Sequence, residues 1–228
     1  MLDVRDSARA QDEKTNPRLR GQKTTPVRRK TDKPNSRSKG LTFERTLCRE
    51  GKNPFDGKEW DYRKASITDD KGGVVFVQEN VEVPKTWSML ATNVVASKYF
   101  YGGMGTQERE TSARQLIHRV ARTITDWGLV SDYFATQEDA ENFYNDLAFV
   151  CLNQYGSFNS PVWFNVGLYD VYGLSSNSRT SYCWNEEEGC IGTTQDSYKR
   201  PQASACFIQS VDDTMEDIMR LASSEAML

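Results

Sequence analysis

The spacing of apolar positions changes along the chain, and each change predicts an element. In KASITDDKGGVVFVQENVEVP, from Lys64 to Pro84, Val75, Val77, Val81 and Val83 fall at strand-like spacing. Asp69-Asp70-Lys71-Gly72-Gly73 separates two β-rich runs, which predicts a hairpin, and Pro84 ends the second run. After the connector YGGMG at 101–105, the period becomes helical. Ala113, Leu116, Ile117, Val120, Ala121, Ile124 and Trp127 make one apolar stripe. The expected helix runs from Thr106 to about Trp127, with Thr106 as its cap and Gly128 as its stop. Glu108 and Glu110 would then sit at the positive end of the helix dipole. A second helix is predicted from Thr136 to about Asn153. Thr136 and Asp139 resemble a capping box, and Ala140, Phe143, Tyr144, Leu147, Ala148 and Cys151 form its stripe.

The last third reads differently. SFNSPVWFNVG at 157–167 leads into a stretch expected to be an irregular loop as far as about Arg200. Ser204 to Ser210 suits a buried strand. Asp212 or Asp213 suits the N-cap of a following helix, with Glu216 in its first turn, and Met215, Ile218, Met219 and Ala222 would be its buried side. A strand running straight into a helix is the unit of α/β folds, whose ligand sites lie at the carboxyl ends of strands.

Charge divides the chain unevenly. Residues 1–40 carry 12 Lys and Arg against 5 Asp and Glu, while the remainder carries 17 against 27. The first segment has almost no bulky apolar residues, so it reads as a disordered, basic leader that cannot bury enough surface to order itself. A polyanion-binding tail is the other reading of that charge. The mean hydropathy of -0.69 and the lack of any run of about 18 apolar residues argue against a membrane helix. No secretory h-region opens the chain, and a cytoplasmic location is expected.

Five cysteines, at 48, 151, 183, 190 and 206, are irregularly spaced and do not suggest a disulfide framework. Cys151 lies on an apolar stripe and is expected to pack. Cys183 and Cys190 flank WNEEEG without a second cysteine pair or a nearby histidine, a poor zinc site. His118, the single histidine, falls off the helical stripe and is expected at an edge or facing solvent. Cys206 has two readings. It is a buried thiol on a strand, or it is reactive, with small residues at 203–205 leaving space beside the sulfur.

Several motifs resemble one family. NSPVWFN at 159–165 and SACFIQSVDDTMEDIMRLASSEAML at 204–228 resemble class II ribonucleotide reductases, which depend on adenosylcobalamin. LTFERTL at 41–47, VEVPKTWSMLATNVVASKYFYGGMGT at 81–106 and SARQLIHRVARTITDWG at 112–128 resemble the N-terminal region of the same family. The resemblance implies a mixed α/β fold. Residues 41–155 would be the family's N-terminal region, and 156–228 the first strand and helix of its catalytic α/β barrel.

It also implies roles. The activity would be that of an adenosylcobalamin-dependent ribonucleoside-diphosphate reductase, which replaces the ribose 2′-hydroxyl by hydrogen for DNA synthesis. Cys206 matches one cysteine of a redox-active pair, Ser160 matches a substrate-contacting position before Pro161, and the Ala205–Cys206 backbone matches a second substrate contact. Asp213 matches a contact to a deoxynucleoside triphosphate effector, with helix capping as its rival explanation. The implied partners are the ribonucleotide, the effector, a thioredoxin-like reductant and a second copy of the enzyme, with neither membrane nor nucleic acid among them. The family's Gly-Ser-Gly turn, its Asn-x-Cys-x-Glu loop and the partner of Cys206 are not in this chain, and Leu228 falls within a helix. An incomplete product, inactive alone and lacking most of the cobalamin site, is therefore expected. The alternatives are a catalytically dead nucleotide-binding module and a nucleic-acid-associated protein acting through residues 1–40.

Overall fold

The computed structural model describes residues 40–49, 51–176, 182–185 and 188–227. The leader expected over 1–40 lies outside this set except for Gly40, and so does Leu228. The described chain is a mixture of helices and two small antiparallel sheets.

The predicted hairpin forms from β1 (Trp60–Thr68) and β2 (Val74–Pro84). Asp69 closes its turn, its Oδ1 accepting from the amides of Lys71 at 2.9 Å and Gly73 at 2.7 Å. The even spacing of the four valines does not survive folding as one face. Arg63 pairs with Val81 but Ala65 pairs with Gln78, so Lys64 opposes both Glu79 and Asn80. This bulge, with Asn80 at φ 55°, shifts the phase of the strand. Val81 and Val83 are buried beside Ala65, whereas Val75 is exposed.

Pro84 ends β2, and Ser88 caps α1 (Met89–Val94) by accepting from the Ala91 amide at 3.0 Å. A π-turn, Val95–Tyr99, continues it and closes with the Phe100 amide bonded to the Val95 carbonyl at 3.2 Å. The long helix α2 spans Ala113–Val130, seven residues later in its start than the periodicity suggests. Two local facts set that start. The edge of β2 takes the Thr111 carbonyl through the Glu82 amide at 2.8 Å, which holds the backbone extended. Ser112 and Gln115 then form a capping box. Gly128 does not stop the helix. Its missing side chain makes room for the ring of Phe134, which a Cβ there would meet at 2.5 Å.

The helix α3 (Gln137–Leu152) begins where the sequence places it, with Thr136 accepting from the Asp139 amide at 3.1 Å. Its stripe and that of α2 face each other, and with Val81, Val83, Trp87 and Trp163 they form the core. A strap of residues 40–48 is tied across α3 by two aspartates seven positions apart. The Asp139 carboxylate accepts from the Phe43 amide at 2.7 Å. That of Asp146 accepts from the amides of Thr46 at 2.7 Å, Leu47 at 3.1 Å and Cys48 at 2.8 Å.

The final third departs most from expectation. The short helices α4 (Ser160–Asn165) and α5 (Leu168–Tyr172) come first. Inside the stretch expected to be an irregular loop lies a second hairpin, β3 (Tyr182–Asn185) with β4 (Cys190–Thr193). Residues 204–210 do not form the expected buried strand; they have no regular secondary structure and are exposed and unpaired. Strands are stabilised by pairing and by a covered face, and this segment pairs with neither described sheet. The helix α6 (Met215–Met227) does form, but its apolar side is uncovered, with Met215 and Met219 both exposed. Of the strand and helix expected here, only the helix forms.

Asp146 supplies a test of the strap. Burial opposes its ionisation, but the donors from Cys48, Thr46 and Leu47 outweigh this and hold its carboxyl below the usual carboxylate range. A depressed native pKa stabilises the fold above the unfolded value of roughly 3.9, and that contribution is lost as pH falls through the native value. We expect Asp146→Ala, read by urea unfolding at pH 7, to cost about 2–3 kcal/mol, because three amides lose their acceptor. The difference between variant and parent should shrink on acidification below about pH 4.

Candidate functional site

A buried ion pair sets the position of the segment that carries the predicted site residues. Glu110 precedes α2 and Arg119 lies nearly two turns into it, and each is 1% exposed. The Arg119 Nε donates to Glu110 Oε1 at 2.8 Å, and a second guanidinium nitrogen reaches Glu110 Oε2 at 3.3 Å. The remaining donors go to the main chain of α4 and the residue after it, the Val166 carbonyl at 2.6 Å and the Trp163 carbonyl at 3.3 Å. Glu110 is completed by the Tyr101 amide at 2.9 Å and by the Tyr172 hydroxyl at 2.9 Å. Burial, reinforced by the Glu110 charge, pushes the Tyr172 phenol well above its ordinary value, so it remains a donor.

Gly167 lets this packing happen. Its φ is 81°, and a Cβ there would meet Thr123 Oγ1 at 2.6 Å and Arg119 Cγ at 2.7 Å. Just outside the helix end, therefore, the chain turns through the left-handed region against the face of α2.

From that anchor α4 projects its first turn outward. Asn159 caps it, accepting from the Val162 amide, and Pro161 fits the first turn, where its missing N–H costs nothing. Ser160 is half-buried, and its Oγ lies 3.2 Å from the Tyr99 hydroxyl at the end of the π-turn. At the other end of α4, the Asn165 side chain donates to the Gln202 carbonyl at 3.3 Å. This bond ties α4 to the root of the irregular segment 201–212. Ala205 and Cys206 lie on that segment, both exposed. The structure thus links the Ser160 helix to the Cys206 segment through Asn165, but it places no hydrogen bond between Ser160 and Cys206 among the described residues.

Asp213 is not the cap of α6. Thr214 takes that role, accepting from the Asp217 amide at 3.2 Å, while Asp217 reaches back to the Asp212 amide at 3.1 Å. Asp213 is exposed at the mouth of this turn with no capping duty.

The other cysteines separate by environment. Cys151 is buried in the core beside a cavity of about 230 Å³, and burial pushes its thiol up to about 11. Burial also raises Cys48. Cys183 and Cys190 stand on β3 and β4 at non-opposed positions, Cys183 facing Gly192 and Cys190 facing Asn185. Among the described residues no group of three His, Cys, Asp or Glu side chains is placed to hold a metal ion.

Sequence reasoning missed Arg119, Tyr172, Tyr99 and Asn165, and it gave Glu110 a helix-dipole role that the late start of α2 rules out. One signal was present: Arg119 sits between Leu116 and Val120, inside the margin of the apolar stripe. A cation there needs a buried counter-charge.

With this geometry in hand, comparison with known proteins identifies the family. A family model described as class II vitamin B12-dependent ribonucleotide reductase matches residues 61–154. A protein of Rhodopirellula baltica named vitamin B12-dependent ribonucleotide reductase is 56% identical over 191 residues, covering 83% of this chain and 18% of its own length. The protein of the same name from Streptomyces coelicolor is 40% identical over 204 residues, 89% of this chain and 18% of its own. One from Bradyrhizobium diazoefficiens is 32% identical over 224 residues. The chain is a homologue of the N-terminal region of the class II vitamin B12-dependent ribonucleotide reductases, and residues 61–154 carry that family's N-terminal domain. It spans about a fifth of the length of these relatives.

Two measurements test the site. Glu110→Ala leaves Arg119 buried without its counter-charge and should lower stability by about 3–5 kcal/mol in urea unfolding. Brief alkylation of the folded chain at pH 8, followed by mass spectrometry, should label Cys206 and Cys190 and spare Cys151 until the chain is unfolded. Labelling of Cys151 as fast as Cys206 would contradict the burial described here.

Proposed function

We propose that this chain is the N-terminal part of an enzyme that reduces ribonucleoside diphosphates to 2′-deoxyribonucleotides in the cytoplasm, with Cys206 as one of two redox-active thiols. The observation that carries the reading is the homology to vitamin B12-dependent ribonucleotide reductases, which extends over 89% of this chain in one relative. Its exposed setting on an unpaired segment supports it, because a thiol that meets substrate and reductant in turn must be reachable.

The electron balance is simple. The ribose C2′–O bond breaks, the oxygen leaves as water and C2′ gains a hydrogen. Cys206 and its partner thiol give up two electrons and two protons and join as a disulfide. A thioredoxin-like dithiol then restores the pair by thiol–disulfide exchange. The partner cysteine belongs, in this reading, to the part of the relatives that this chain does not match.

Ser160 and the Ala205–Cys206 backbone are proposed to hold the substrate, with the Asn165 to Gln202 bond keeping the two segments in register. Asp213, relieved of capping by Thr214, is proposed to contact a deoxynucleoside triphosphate effector. In the same reading, 41–155 is the N-terminal region and 204–210 becomes the first barrel strand once a neighbouring strand pairs with it. The exposed face of α6 would be covered in the whole enzyme, which is proposed to dimerise.

The cofactor is a separate matter. Among the described residues, four cavities along α2 have volumes between about 210 and 460 Å³, no more than a drug-sized ligand fills. Adenosylcobalamin is much larger than such a ligand, so these cavities do not hold it by themselves, and its site is proposed to need further residues. The radical chemistry that a cobalamin supplies when bound is accordingly not assigned to any residue described here.

Cys206→Ser in the complete reductase tests the proposal. Multiple turnover with a thiol reductant should be abolished, while deoxynucleotide effector binding persists. Retained multiple turnover would refute the role of Cys206.

A further inference from the structure

A cleft of about 460 Å³, lined by neither Ser160 nor Cys206, opens between α2, α3 and the turn at 53–56. We propose that this cleft binds a small oxyanion of the phosphate class, with Arg114 as its principal ligand and His118 beside it.

The argument begins with helical spacing. Arg114, His118 and Arg122 recur every four residues, so they stand in one row along α2. Their states differ. Arg122 is already neutralised, bonding Asp126 at 2.9 Å and Glu141 of α3 at 2.8 Å. Arg114 is paired more loosely: its guanidinium forms one ion pair, with Glu82 at 3.7 Å, and donates no hydrogen bond among the described residues. The guanidinium is nevertheless held in place, its central carbon 4.3 Å from the centroid of the Trp60 ring and 5.6 Å from that of Phe55. A stacked planar fork with unused N–H groups is pre-organised for an oxyanion.

The neighbours of Arg114 are donors too. Asn53 uses its Oδ1 to accept from the Phe55 amide, and Gln115 uses its Oε1 for the capping box. In each case the local structure engages the acceptor and the side-chain NH2 has no partner among the described residues, and both residues line the cleft. His118 places Nδ1 2.6 Å from the Tyr144 hydroxyl, which leaves Nε2 as its other polar atom.

Two carboxylates border the cleft. Glu141 is engaged by Arg122, and Asp56 accepts the Asn53 amide at 3.3 Å. The unpaired groups are therefore mainly donors. Burial and the nearby Arg122 charge lower the His118 pKa, with Asp126 opposing them, so the cleft favours a neutral imidazole when empty. A bound dianion reverses that preference. Affinity should then rise as pH falls through the His118 pKa, because the protonated ring adds a second charge-assisted bond.

The single histidine makes a specific reporter. The chain, purified without a histidine tag, is titrated with sodium sulfate while the His118 ring protons are followed by NMR. Sulfate remains a dianion from pH 5.5 to 8, and sodium chloride at matched ionic strength serves as control. We expect a saturable shift with Kd of order 1 mM, a rise in the His118 pKa, and about tenfold weaker binding in Arg114→Gln. Because Arg114 also packs on Trp60, Asn53→Ala provides a variant outside α2 and should weaken binding about threefold. A second arm compares inorganic phosphate with adenosine 5′-monophosphate. Tighter binding of the nucleotide assigns the cleft to nucleotides, and equal affinity assigns it to the phosphate group alone. A His118 response no larger than that to chloride, or one that is unchanged in both variants, overturns the proposal. The outcome is independent of the reductase reading, since neither Cys206 nor Asp213 takes part.

Discussion

The Glu110–Arg119 pair is the constraint on which the arrangement of the last third depends. Two opposite charges removed from water repay the loss only when their remaining hydrogen-bonding groups are also satisfied. Here they are: Arg119 spends its donors on Glu110 and on two carbonyls at the end of α4, and Glu110 accepts from Tyr101 and Tyr172 as well. The pair therefore joins four pieces of chain that the apolar core alone would not orient. Apolar burial is non-directional, whereas a guanidinium with fixed donors defines where each carbonyl must stand.

From that point the functional geometry follows by short links. Arg119 fixes the end of α4, and the length of α4 fixes Ser160 against Tyr99. Asn165 carries the connection on to Gln202 and so to the segment of Cys206. Order declines along this path. The pair is fully buried, Ser160 is half-buried, and Cys206 is exposed on a segment without strand partners. A segment with few contacts and free backbone groups is suited to docking against something else, and the uncovered apolar side of α6 next to it has the same character.

Much of the fold was legible in the sequence where signals were local. The Asp69 turn, the Thr136 cap and the stripes of α2 and α3 follow from side-chain period and from short-range hydrogen bonds. The errors fall where a distant partner intervened. Helix α2 starts at Ala113 rather than at Thr106 because β2 captures the backbone at Thr111. The valines of β2 divide between two faces because of the bulge at Asn80. The cap of α6 moved from Asp213 to Thr214 through the reciprocal bonds of Asp217 and Asp212, a local choice among three adjacent cap-forming residues.

For the site, the sequence singled out Cys206, Ser160, Ala205 and Asp213 by resemblance, and the structure gives their surroundings. By itself the sequence determined the first hairpin and the two helices that supply the core, because those properties depend on neighbours within a few positions. Tertiary structure alone decided that Glu110 leaves the helix to meet Arg119, that Asp146 holds a strap about a hundred residues away in the chain, and that Ser204–Ser210 is not a strand here. The physical reason is common to all three. A buried charge, a carboxylate ringed by amides and a β-strand each need a partner, and the pattern of one segment does not say whether that partner will be in reach.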